Sequence, residues 1–535
     1  MNLRYPVARV SGFVYSRKGC TQPKQDPRSD AMNTLKALTI TAVLTGISGL
    51  AISDDTALTI YSTATPGAIP AEWYRPVPGQ SQNYGYGYNM YNQIPGYAVI
   101  RQDRTLDIEQ GYSELKFTDV AALLDPTTVQ FSSLTDPDGT SVLEQDYRFD
   151  LLSMDRMLER YIDQKIIFGG QEMTLMSTAG GGMLLQGDDG RVQYQQGYHG
   201  VVFPSLDESL VTKPTLMWAV DAAQGGEHET RVSYQTTGIT WWADYNLIYA
   251  EGDDANSGTV DIGAWVSILN QSGGTYENAK LKLVAGDVNR AQPQNQYGRR
   301  EMAMMDGMVS KAGQAGFEEK SFFEYHLYTL GRPTTIPDRS TKQIELFEAV
   351  NDVPAKKILM YDGTAQARWT GNNAMVDQNW GVQSNSKVEV YLSFENSEDN
   401  GLGIPMPSGR IRVNQLDEAD GAYEFIGEHV IDHTAREEEI MIKLGNAFDV
   451  VGERRQVSFE RGKDWLVETI EVKLRNRKDT TVKVVVQERL YRWSNADIQK
   501  ISHDHEMLDS RAMHIPVMLD VDEEEIVTYT VRYSW

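Results

Sequence analysis

Apolar residues recur at every second position along one segment after another of this chain, and that period limits the fold more than any other feature of it. Val388, Val390, Leu392 and Phe394 alternate with polar partners in the run that starts at Lys387. Trp465 to Leu474, Thr481 to Leu490 and Ile526 to Trp535 are extended in the same way. A period of two puts alternate side chains on one face of a strand, so these segments predict half-buried strands of a sheet. Turn sequences separate them: Asp136-Pro-Asp-Gly139, Gly252-Asp-Asp254, Ser272-Gly-Gly274 and Asn476-Arg-Lys-Asp479. The last of these predicts a hairpin between 465–474 and 481–490.

Helical periodicity is scarce. The best example is Leu151 to Ile162, where Leu151, Met154, Leu158 and Ile162 recur at three and four. The fold class that follows is mainly β: tandem antiparallel, Ig-like β-sandwich domains with a small glycine-rich β module and little helix. The division expected is a leader at 1–53, a disordered Tyr/Gly/Gln/Pro linker at 54–95, and an N-terminal β domain at 96–155. The glycine-rich module then takes 156–208, a β-sandwich 209–380 with a loop insertion at 291–316, and a C-terminal β-sandwich 381–535. No repeat of 20 to 50 residues marks a solenoid or propeller.

The leader carries a targeting pattern. Met32-Asn-Thr-Leu-Lys36 is a short basic start, 37–50 is mostly apolar, and Ala51-Ile-Ser53 is a small-x-small cleavage site before Asp54. That combination predicts a secretory signal peptide, with Met32 as the natural start of translation. The apolar run is shorter than the roughly 20 residues of a spanning helix, so a membrane anchor is disfavoured and no transmembrane helix is expected in the mature chain. The single cysteine, Cys20, lies in the leader. An exported chain without cysteine has neither disulfides nor thiol chemistry and relies on core burial.

Net charge is −25, and the leader is basic, so the mature chain is more acidic still. Phosphate backbones would be repelled, which excludes nucleic acid as a partner. The stretch 80–93 is rich in Tyr, Gly, Asn and Gln with almost no aliphatic content. It predicts an unstructured tether, or tyrosines that stack on glycan or a partner. Met302, Met304, Met305 and Met308 cluster in the 291–316 insertion. Soft copper would suit them, but an adaptable loop is the commoner use of such a stretch.

Several constellations could carry chemistry. His429 and His433 have the i, i+4 spacing of a metal pair on a helix, beside Glu428 and Asp432. On a strand the same spacing separates them by about 13 Å, too far for one ion. Tyr423-Glu-Phe425 before and Ile440-Met-Ile442 after favour the strand, and with it no bound zinc. Ser502-His-Asp-His-Glu506 could offer His503 and His505 to a metal, or be a solvated loop. Asp417 and Asp420, in Asp417-Glu-Ala-Asp-Gly421, supply hard oxygens that calcium accepts, as do Asp136, Asp138, Asp253 and Asp254. None has the full spacing of a calcium loop, so no cofactor is expected. Gly180-Gly-Gly is not followed by Gly-Lys-Ser/Thr, which removes a P-loop, and neither His-Glu-x-x-His nor Gly-x-Ser-x-Gly occurs. The alternating Tyr529, Val531, Tyr533 and Trp535 also suit the last strand of an outer-membrane barrel. The acidic composition and unequal strand lengths favour a sandwich edge.

A further set of motifs is distinctive in combination. Gly238-Ile-Thr-Trp241, Ala243-Asp-Tyr245, Leu269-Asn-Gln-Ser-Gly273 and Tyr276-Glu-Asn-Ala-Lys280 precede Leu283-Val-Ala-Gly-Asp287. Later come Gly401-Leu-Gly-Ile-Pro-Met-Pro-Ser-Gly-Arg410, His433-Thr434, Ala447-Phe-Asp-Val-Val-Gly-Glu-Arg454 and Tyr529 to Trp535. Over roughly 213–535 the chain resembles the bacterial domain of unknown function family numbered 4139, some of whose relatives are mucoidy-inhibitor-A-like with a preceding coiled coil. No heptad run occurs in this chain. The resemblance brings no established catalytic residues. The expectation is a periplasmic or extracellular protein, exported by its signal peptide, that binds or scaffolds an envelope protein or a glycan. A periplasmic metal-dependent hydrolase is the alternative.

Overall fold

The computed structural model describes residues 55–62, 64, 69–74, 94–205, 210–286, 288, 317–322, 325–363, 373–382, 384–417 and 419–535. The leader, the tyrosine-rich stretch 80–93 and the methionine insertion 291–316 lie outside the described residues.

The fold is mainly β, as the alternation predicts, with two short α-helices and one 3-10 turn among the described residues. Most strand pairs are antiparallel, and three are parallel: Asp55–Tyr61 with Tyr276–Ala285, Ile239–Glu251 with Gly409–Leu416, and Ser340–Tyr361 with Val482–Arg489. One large core joins residues from Leu58 to Ile442, and a second joins Leu359 to Tyr533. Two long strands serve both. Ser340–Tyr361 has 22 residues and gives Ile344, Leu346 and Val353 to the first core, then Leu359 and Tyr361 to the second. Glu439–Arg461 has 23 residues and gives Ile440 and Ile442 to the first core, then Val450 to the second. Between them Lys387–Glu395 does the same with Leu392 and Phe394 on one side and Val388 on the other.

These shared strands correct the domain map. A boundary at 380 divides one continuous sheet, in which Ile239–Glu251 and Lys387–Glu395 are joined through Ser257–Asn270 and Ser340–Tyr361. A boundary at 208 divides another, because Tyr97–Ile108 pairs with Gly226–Thr236 along its whole length. The boundary at 155 cuts the helix Met154–Arg160, which packs Met157 and Leu158 into the small core of the glycine-rich module beside Ile166, Leu175 and Leu185. That helix is shorter than its periodicity suggests. Ser153 accepts the Arg156 N–H and caps it, while Leu151 and Ile162 make extended bridges outside it, and Ile162 is left exposed.

The linker at 54–95 is corrected as well. Asp55–Tyr61 is a strand that buries Leu58 and Ile60 completely, between Tyr276–Ala285 and Tyr97–Ile108. Its alternation, Thr56, Leu58 and Ile60 inward, is as regular as any in the chain; the prolines after it masked the signal. Ala71–Tyr74 is a short helix, and Ile69 and Ile94 both bury against Trp242 and Leu269, so the two ends of the tyrosine-rich stretch are anchored to one patch.

The hairpin expected at 465–490 does not form. Trp465–Asn476 pairs with Glu439–Arg461 and Glu524–Ser534, whereas Val482–Arg489 pairs with Ala512–Leu519 in the opposite layer. Asn476 fixes this corner by donating to the carbonyls of Thr480, Leu519 and Asp520. Glu524–Ser534 is an internal strand rather than a sandwich edge, with Ala496–Ile501 on its other side and Val527, Tyr529, Val531 and Tyr533 in the core.

Candidate functional site

The motif residues that are far apart in sequence converge on one region of the larger sheet. Ile239–Glu251 lies between Ser257–Asn270 and Gly409–Leu416, and the latter continues to the edge strand Tyr423–Ile431. Trp241, Ala243, Tyr245 and Leu247 point into the core. Trp242, Asp244, Asn246 and Ile248 therefore form the opposite, outer face. Gly409 admits this packing, because a Cβ there would lie 2.4 Å from the Tyr245 ring and 2.8 Å from the Ala243 carbonyl. Tyr245 Oη donates to the Pro407 carbonyl at 2.7 Å. Asn396 secures the turn before it, donating to Ile404 O and Ala435 O. Positive φ at Gly401 and Gly403 lets that turn close.

Register sets out the outer face in rows. Asp244 lies between Trp265 and Arg410; Asn246 lies between Gly263 and Arg412, with Glu428 beyond; Ile248 and Asn414 lead to Phe425. Leu416 opposes Tyr423 at the tip. Asp244 is buried and accepts from Trp242 Nε1 and Ser267 Oγ, both at 2.8 Å, on one oxygen. Its other oxygen receives Arg410 at 3.1 Å and has Arg412 at 3.7 Å. Arg412 also reaches Glu428 at 3.6 Å. Burial works against the Arg410 guanidinium, but Asp244 outweighs it and holds the charge above the ordinary arginine range. Asp244, Arg410, Arg412 and Glu428 thus compensate one another, while Trp265 at 41 %, Phe425 at 59 % and Tyr423 at 60 % remain open to solvent. Rings on successive rows of a pleated surface, with paired donors and acceptors between them, can bind an extended partner.

The residues singled out from sequence sit elsewhere or are engaged. His429 is on the edge strand opposite Ile411, and His433 lies beyond its end, where Nδ1 accepts the Ser408 N–H at 3.0 Å. The strand Tyr423–Ile431 carries His429 and ends before His433, so the pair does not have the helical i, i+4 arrangement. Asp417 and Asp420 are in the tight turn of the hairpin, where Asp417 Oδ1 accepts from Ala419 N and Asp420 Oδ1 from Ala422 N, both at 2.8 Å. Asp136 and Asp254 cap their own turns in the same way. His503 is within 3.3 Å of Glu525 and bonds Ser502, rather than joining His505.

Two buried ion pairs in the second core were not foreseen. Arg454 Nε donates to both oxygens of Glu488 at 3.0 and 3.1 Å, and Tyr529 Oη donates to Glu488 at 2.7 Å. Arg492 donates to Glu468 at 2.9 Å, and to the carbonyls of Met375, Asp377, Gln378 and Trp380. Burial raises the Glu488 pKa, although Arg454 pulls the other way. Only one signal in the sequence hinted at them: a charged residue, Glu468 or Glu488, at an inward position of an alternating run.

No family model matches this chain, and no match is found among curated proteins or solved structures.

Proposed function

We propose that this is an exported cell-envelope protein that binds or scaffolds a partner without converting it, and that the outer sheet face from Trp265 to Tyr423 is its binding surface. The observation that carries the reading is the pattern on that face, exposed rings separated by mutually neutralised charges. The resemblance to family 4139 adds weight, since its motif residues Asp244 and Arg410 build the face and Gly409 seats it. Export is supported by the leader: cleavage after Ser53 would spare Asp55–Tyr61, a strand held on both sides that the fold needs intact. The partner is an envelope glycan or an envelope protein, and the reading requires neither calcium nor zinc.

Fractionation of native cells tests this. The protein should be found in the envelope with an N-terminus at Asp54 or within a few residues of it, and Trp265→Ala together with Phe425→Ala should release it into the soluble fraction. A chain that keeps Met1 and stays in the cytosol would overturn the proposal.

A further inference from the structure

We infer that the outer face takes a neutral polysaccharide chain, laid across the strands with sugar rings against Trp265 and Phe425. This rests on the binding reading above and narrows it to a ligand class.

Three features favour a neutral, hydroxyl-rich ligand over a charged or purely apolar one. The first is charge. Asp244 is met by Arg410 and Arg412, and Arg412 by Glu428, so the centre of the face pairs its charges, and the carboxylates beside it, Glu345 opposite Trp265 and Asp261 opposite Ile248, repel an acidic partner. The chain as a whole is at −25, which opposes an acidic glycan approaching it. The second is the mixture of groups. Asn246 is exposed, Arg412 and Glu428 keep part of their surface, and all three present hydrogen-bonding edges in one row. Hydroxyls donate and accept, so a sugar can use the carboxylate, the amide and the guanidinium at once. A folded protein partner would instead be expected to cover a continuous apolar centre. Here the centre is polar and the rings lie on either side of it.

The third is geometry. Trp265 and Phe425 lie on strands three steps apart across the sheet, about 14 Å, and two rows apart along it, Trp265 in the Asp244 row and Phe425 in the Ile248 row, about 13 Å more, so they are roughly 20 Å apart on the diagonal. Gly263, next to Asn246 in register, has open space where a side chain would stand. Asn246 and Arg412 lie midway along that diagonal, so the line between the two rings is a low, polar track with an aromatic ring at each end. An extended chain several sugars long fits a track of that length; a single sugar reaches only one end. The apolar face of a pyranose ring suits the flat indole and phenyl surfaces.

Affinity electrophoresis of the full exported chain through gels containing soluble neutral glucan, mannan or galactan tests the inference, with alginate as a polyanion control. Phe448, 94 % exposed on a different strand, supplies a control substitution that removes a solvent-facing ring elsewhere. Migration should be retarded by at least one neutral polysaccharide and not by alginate, and little changed by added salt. Trp265→Ala should weaken the retardation by about tenfold, Phe425→Ala by a similar factor, and Phe448→Ala not at all. Circular dichroism confirms that each variant is folded. Binding only to alginate, or equal binding by all three variants, would overturn the inference. If no polysaccharide is bound while Trp265→Ala still releases the protein from the envelope, the ligand class fails and the binding face stands, with a protein as its partner. If Trp265→Ala changes neither, both fail.

Discussion

Arg454, Glu488, Arg492 and Glu468 are four charged residues at or near zero exposure inside a sandwich core. Taking such charges out of water is costly, and each is stabilised only by the other partner and by further hydrogen bonds. Removing one partner strands the other. Glu488→Ala should therefore destabilise the fold by about 3–5 kcal/mol, measured by urea unfolding, whereas Arg454→Met with Glu488→Leu should recover most of that loss. If the double variant is no more stable than the single one, the pair contributes more than mutual compensation. A second residue sets a pH dependence. Burial lowers the His514 pKa from its ordinary value of 6.5, with Glu506 opposing the shift. The unfolded chain then takes up a proton before the folded one does, so stability is complete above pH 6.5 and is lost as pH falls through the depressed folded value. Urea midpoints should drop between pH 7.5 and 5.5, and His514→Gln should show a smaller drop. An equal drop in both proteins would assign the effect to other groups.

Strands were legible wherever one face is buried and the other solvated, as in Trp465–Asn476, whose burial alternates without a break. What alternation cannot specify is the partner. The 465–474 and 481–490 runs look like two arms of a hairpin, yet Asn476 turns the chain across the core to the other layer through one local carbonyl contact, to Thr480, and two long-range ones, to Leu519 and Asp520. Length was hidden for a related reason: the strand Ser340–Tyr361 contains irregularities in its register near Ile262 and Ala264 that break the period and suggest two strands. The candidate site was half legible. Asp244 and Arg410 stand out as motif residues, but their meeting depends on the parallel register between two strands 166 positions apart. Two expectations follow at this scale. Ile60 is fully buried in the first described strand, so Ile60→Ala should cost about 2–5 kcal/mol, the value for a core position; a change within experimental error would mean that Asp55–Tyr61 is dispensable. His429 on the edge strand and His433 beyond its end, without the helical i, i+4 arrangement, should bind no transition metal, and His433→Ala should lose about 1 kcal/mol for the bond from Ser408. Elemental analysis finding zinc that disappears in both histidine variants would refute that expectation.

On the scale of the whole molecule, the two cores are not connected by a linker. Ser340–Tyr361, Lys387–Glu395 and Glu439–Arg461 each pass through both, and residues 52–535 make one compact unit. Chains of this length usually unfold in steps, because separate domains open independently. Here independence would require a strand to stay paired at one end while its other half loses its layer. The unpaired half would expose backbone donors and acceptors along with apolar side chains, and the boundary would fall inside a hydrogen-bonded ladder rather than in a flexible segment. The larger cost is avoided if both cores open together. Differential scanning calorimetry should accordingly give a single dominant transition for the two sandwiches. Leu346→Ala acts on the first core and Ile470→Ala on the second, and both should move that same transition downward. Two resolved transitions, each shifted by only one of the substitutions, would show that the shared strands fray at the junction and that the cores are energetically separate despite their common backbone.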